Sequence, residues 1–248
     1  MNRLIKILFS FLVILITYSL FACSDGDFES LEEHNNQKNV NSTTVTIKSR
    51  GAGTLLAYYG DELSNIKRLK VIGDINAIDF EGIRYQLSTL EFIDLSKASI
   101  TAYRGYRGTH REWEWTYHDN ELPSHAFKSG TTCSKEAGHN QVTCYTYRLF
   151  NLKEVILPKT ICGINLDAFG GGTQIEVLKI PANLEYISAG QNFSRLKSIS
   201  VAAPIPPKVS DNDFLKIPDD AILYVPKGKK ALYEKAIGWK RIKNIVEK

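Results

Sequence analysis

Residues 103–118 hold the densest group of side chains able to grip a ligand: Tyr103, Tyr106, Trp113, Trp115 and Tyr117 are interleaved with Arg104, Arg107, His110, Arg111, Glu112 and Glu114. Large rings flanked by charges form the anchor sets of interface hot spots, and flat rings with polar neighbours also suit stacking on sugars. The candidate ligand-binding residues are therefore Tyr103, Arg104, Tyr106, Arg107, Arg111, Trp113, Trp115 and Tyr117. A competing reading folds the segment over its own rings as a small core, since two Trp residues are rarely left bare without a partner. His110, Glu114 and His118 would share one helical face and suggest a metal. However, Trp113 and Trp115 alternate with acids as on a strand, and the order is not the His-Glu-x-x-His of a zinc protease. No metal is expected.

Cys133 and Cys144 most economically form a disulfide if the chain is exported, closing a loop at a gain of about 2 to 3 kcal/mol. His139 between them offers a zinc alternative, which lacks a fourth ligand. Cys162 is left over and reads as a small packing residue. Gly170-Gly171-Gly172 lacks the Lys and Ser/Thr of a nucleotide site, and there is no Gly-x-Ser-x-Gly elbow. Asp219-Asp220 follows Pro218 in a turn, and adjacent carboxylates need not face one substrate. The sequence offers no catalytic residue and no cofactor motif, so the expected protein is not an enzyme.

These residues must be positioned by the rest of the chain, which repeats. Leu152-x-x-Val155-x-Leu157, Ile175-x-x-Leu178-x-Ile180 and Leu196-x-x-Ile199-x-Val201 begin 23 and then 21 residues apart. Each reads as a short strand, and Pro158 and Pro181 end the first two because proline cannot extend a ladder. Ile66-x-x-Leu69-x-Val71 and Leu90-x-x-Ile93-x-Leu95 carry the same phrase 24 residues apart. A period in the low twenties means stacked coils that share one continuous core. Opposite the strands, Ile164 precedes Phe169 by five residues and Ile187 precedes Phe193 by six. The fold class expected is α+β and β-rich, a solenoid of about seven coils of 21–24 residues, with an N-terminal strand and a short C-terminal helix as caps.

Leu90 and Leu152 stand 62 residues apart, which breaks the rhythm. Leu95 reaches Leu122 after 27 residues where Leu157 reaches Ile164 after 7, an insertion of 20. Phe127 reaches Leu152 after 25 where Phe169 reaches Ile175 after 6, an insertion of 19. Subtracting both from 62 leaves 23, one ordinary coil with two decorations near residues 102–120 and 128–148. At the ends, residues 43–48 alternate as a covering strand, Phe80 and Ile83 suit a helical turn, and residues 231–237 read as a helix stopped at Gly238. Trp239, Ile242 and Ile245 would then cover the last coil.

Strand, Pro, Ile and then Ala168-Phe169 is the order of a coil in the BspA-like leucine-rich-repeat family of bacterial surface lipoproteins, which residues 43–248 resemble. The resemblance implies a non-catalytic binding role, adhesion to host matrix proteins or to other cells, and it transfers no catalytic residue.

The start of the chain supplies an address. Arg3 and Lys6 precede an uncharged apolar run over residues 7–22, which reads as a signal peptide. Leu20-Phe21-Ala22-Cys23 resembles a lipobox, implying cleavage before Cys23 and a membrane anchor through lipid on that residue. Residues 23–42 are acidic and polar, a tether whose first acids resemble a surface-export signal. The expected location is the outer membrane, facing outward. The domains are then 1–22 signal, 23–42 tether, 43–226 solenoid and 227–248 cap. Without Arg3 and Lys6 the net charge falls from +4 to +2, too mild for a nucleic-acid partner. The expected partner is a surface protein of host or bacterium, or a glycan taken up by a nutrient system.

Overall fold

The computed structural model describes residues 44–248 apart from 58–62, 111–113, 136–141, 150, 172–173, 211–213 and 215, with only the backbone at 132, 134, 135, 143, 145 and 147. The expectations for the signal peptide, Cys23, the tether, Arg111, Glu112, Trp113 and His139 lie outside the described residues.

The repeated phrases form strands β1 (Val45–Lys48), β2 (Arg68–Ile75), β3 (Phe92–Ile100), β9 (Glu154–Ile156), β11 (Val177–Ile180), β13 (Ser198–Val201), β15 (Ile222–Val225) and β16 (Asn244–Glu247). They make one eight-stranded sheet in that order, and every neighbouring pair is parallel. Eight parallel strands taken in chain order need seven returns, so the chain is a solenoid of about seven turns. The fourth place of each phrase sets the register: Leu69, Ile93, Val155, Leu178, Ile199, Leu223 and Ile245 stand in one row. All are buried, each contributing about 1.5 to 3 kcal/mol of transfer free energy.

The return path carries a second small sheet of two-residue strands, β6 (Glu121–Leu122), β10 (Gly163–Ile164), β12 (Tyr186–Ile187) and β14 (Lys208–Val209). Leu122 lies opposite Ile164, and Ile164 opposite Ile187, so both insertions sit within one ordinary coil. Behind these strands runs a file of rings: Phe80, Phe127, Phe169, Phe193, Phe214 and Trp239, with successive centroids 5.0 to 6.0 Å apart. Aromatic pairs at this separation gain beyond their buried area.

A left-handed turn before Phe127, Phe169 and Phe193 is also stacked, with φ of 62° at His125, 57° at Asp167 and 88° at Gly190. A Cβ at Gly190 would collide with the Asp167 carboxylate, so only glycine fits the third place. The six-residue spacing from Ile187 to Phe193 has a local cause. The extra residue lets the buried Gln191 side chain act as backbone: Oε1 accepts from Phe169 N at 2.9 Å, while Nε2 donates to Asn165 O at 2.9 Å and Ser188 O at 2.8 Å. Gln191→Ala is expected to cost about 1 to 3 kcal/mol in urea unfolding, because it orphans a buried N–H. A loss below about 0.5 kcal/mol would mean that water replaces the amide.

One coil departs from the plan. Helix α1 (Ala77–Gln86) is capped by Asn76, whose side chain accepts from Ile78 N, while Asp79 accepts from Asn76 N. Asp79 also accepts from Gly53 N and Leu55 N, which docks the leading turn on the helix. At the other end, α2 (Lys230–Lys235) places Tyr233 and the following Trp239 against the coil before them. The Tyr233 hydroxyl donates to Ala203 O and Trp239 Nε1 to Pro207 O, both at 2.7 Å. The cap contains more than the helix expected: β16 adds a full strand, and Ile245 completes the buried row.

Candidate functional site

The first insertion forms an antiparallel hairpin, β4 (Tyr103–Gly105) with β5 (Trp115–Tyr117), pairing Tyr103 with Tyr117 and Gly105 with Trp115. Strand geometry removes the helical face on which His110, Glu114 and His118 would have met. Ala102 N donates to the Asp119 carboxylate across the hairpin base, and Arg104 pairs with Glu114 at 3.0 Å.

Helix α1 holds this hairpin from below. Glu81 accepts from Gly108 N at 3.1 Å and faces Arg107 at 3.8 Å. Buried Arg84 donates to Thr109 O at 3.1 Å and to His125 O at 2.9 Å, so one guanidinium ties the hairpin to the solenoid turn. These charges explain why the helix is buried nearly all round: Phe80 and Ile83 enter the core, and Glu81 and Arg84 face the insertion. Gly108, at φ 104°, lies where a Cβ would strike Ala77.

The rings of the aromatic segment divide between buried and exposed positions. Tyr117 is buried, its hydroxyl accepting from His110 N at 2.9 Å and bonded to Thr109 at 3.3 Å, and Tyr103 stacks on it at 6.1 Å. Those two rings make a small core under the hairpin. Tyr106 is 68% exposed and Trp115 40%, with Arg104 and Arg107 exposed beside them. Trp115 is nevertheless fixed, since its other face stacks on His110 at 4.3 Å and an angle of 17°. Arg111 and Trp113 belong to the same loop outside the described residues.

His110 in turn packs on His125 at 4.6 Å, and His125 lies 3.7 Å from Asp167, which Lys128 engages at 2.8 Å. Burial, then the charges of Arg84 and Lys128, lowers the His110 pKa to about 4. Burial, then Lys128, His110 and Arg84, lowers that of His125 to about 3. Both imidazoles are thus neutral at pH 7 and serve as flat packing surfaces. Among the described residues His110 Nε2 has no hydrogen-bonding partner. His125, Arg84, Glu81, Lys128 and Asp167 form no motif in the sequence; the available signal was charge at 79, 81 and 84 beside Phe80 and Ile83 in one helical phrase.

The second insertion is another hairpin, β7 (Gly130–Lys135) with β8 (Val142–Tyr147). Cys133 lies directly opposite Cys144 and is bonded to it. Cys162 is free and half-buried, its thiol donating to Asn120 O at 3.4 Å, while burial, then Glu121 and Glu185, raises its pKa. Gly170-Gly171 lies in a coil turn and Asp219 pairs with Lys243 at 2.9 Å. Among the described residues no cluster of three His, Cys, Asp or Glu could hold a metal, and no helix is long and apolar enough to cross a membrane.

Fold and site together define a class: a capped, strand-rich solenoid that carries two hairpins on one coil. Comparison with protein-family models and with curated proteins matches none of them to this chain.

Proposed function

We propose that this chain is a non-catalytic binding lipoprotein that displays the β4–β5 hairpin as a recognition surface. The observation that carries the reading is the pairing of exposed Tyr106 and Trp115 with a rigid base: Trp115 is held by His110, and the hairpin is held by Glu81 and Arg84. Pre-ordered rings lose little entropy on binding, which favours anchors of this kind. The exposed arginines beside them add donors for acidic groups.

Resemblance to BspA-like surface proteins supports an adhesin-like role toward host matrix proteins or other cells. The apolar run over residues 7–22 and Cys23 support a lipid anchor, and the acids of the tether support an outward-facing outer-membrane location. The exposed, flat Trp115 favours a second reading, capture of a glycan beside a nutrient-uptake system.

The test is binding of the protein to paired arrays of matrix proteins and glycans. Trp115→Ala, alone and with Trp113→Ala, is expected to weaken binding at least tenfold while the unfolding midpoint moves by less than about 2 °C. Signal on the glycan array alone selects the second reading. Equal loss of stability and binding would return Trp115 to a purely structural role.

A further inference from the structure

The outer face of the sheet carries a second surface, remote in sequence from the hairpin. Strand alternation turns Ile156, Lys179, Ser200 and Tyr224 outward in one row, in register from β9 to β15. Beyond this row the strands end, and the turns at Pro181 and Pro226 rise beside it. Row and turns enclose an open groove of about 510 Å³ with a mainly aliphatic floor.

The lysines lining it are Lys159, Lys179 and Lys248, with no Asp or Glu among the lining residues. Lys179 is engaged by Glu154 at 2.8 Å, and the Lys248 ammonium lies 3.2 Å from the centre of the Tyr224 ring. Lys159 is exposed and has no ion pair among the described residues. Lys159 follows β9 and Lys248 follows β16, four places apart in the sheet. At about 4.8 Å per place, that separation is about 19 Å, the reach of roughly six extended residues.

We propose that this groove binds an extended peptide of about six residues, apolar in its middle and acidic at both ends, laid across the strands. The apolar floor receives its side chains, and Lys159 and Lys248 receive its two carboxylates. A glycan is the poorer fit, because the lining is mainly apolar and only the hydroxyls of Ser96, Ser200 and Tyr224 join the lysines as polar side-chain groups. The site is independent of the hairpin reading, and Trp115→Ala leaves it intact.

The test uses the full-length chain and fluorescence anisotropy at low salt. The probes are three six-residue peptides with the same Ile, Val and Pro interior, ended by Glu, Gln or Lys, together with an oligogalacturonate. The Glu-ended peptide is expected to bind at least tenfold more tightly than the Gln-ended one, and more weakly as salt rises. In the double variant Lys159→Glu, Lys248→Glu the order reverses, and the Lys-ended peptide binds best. The wild-type comparison stands whether or not the variant folds. Equal affinity for the three peptides, no peptide binding, or binding of the oligogalacturonate alone would overturn the proposal.

Discussion

Phe169→Ala is expected to lower the unfolding free energy by about 3 to 5 kcal/mol, the range for emptying a buried ring site. Phe169 lies in the middle of the ring file, 5.5 Å from Phe127 and 6.0 Å from Phe193, and is fully buried. Its loss removes contact with the coil on each side at once. In a quasi-one-dimensional stack the interface between neighbours is what couples the two halves. Urea unfolding of the variant is therefore expected to broaden or split into two transitions, whereas Phe169→Leu loses less and keeps one. A loss below about 1 kcal/mol with an unchanged slope would show that the strand rows alone couple the coils.

The second large effect is acid destabilisation by the stacked imidazoles. In the unfolded chain His110 and His125 titrate near 6.5, and in the fold near about 4 and about 3. Between those values the unfolded state takes up protons that the folded state refuses, so stability falls as pH falls. The contribution is complete above about pH 6.5 and is lost progressively toward about pH 3, the folded value of His125. Both rings keep some solvent access, and screening reduces the combined effect to about 2 kcal/mol. Burial raises the Asp79 carboxyl, which acts in the opposite direction because its neutral form is the one the fold favours. Urea midpoints at pH 7.0, 5.5 and 4.5 measure the sum. His110→Gln with His125→Gln isolates the imidazoles, and its profile is expected to be flatter than that of the parent. Parallel profiles would show that the pair opens to water without disturbing the fold.

The repeat was legible because it is a local pattern. Apolar residues at the first, fourth and sixth places of each phrase can be buried together only if coils stack, and Pro158 and Pro181 fix where two of the strands end. The same arithmetic located both insertions from the distances Leu95 to Leu122 and Phe127 to Leu152. Cys133 and Cys144 were legible too, since two cysteines 11 residues apart in one insertion are readily placed opposite each other on a hairpin.

What the tertiary structure decided was the environment of each charged or aromatic side chain. The sequence presents Tyr103, Tyr106, Trp115 and Tyr117 as equivalents, yet Tyr117 is buried at the hairpin base and Tyr106 is open to solvent. That difference arises from Glu81 and Arg84, which lie more than 20 residues earlier and reach the hairpin through backbone groups that leave no trace in residue type. The neutral state of His110 and His125 likewise depends on their mutual burial beside Arg84 and Lys128. β16 was missed because Asn244, Val246 and Glu247 are exposed, leaving a single apolar anchor, Ile245, for the register to find. Periodicity along a chain fixes which residues face a shared core, while contacts between distant segments fix which of the remaining side chains are held, hidden or presented.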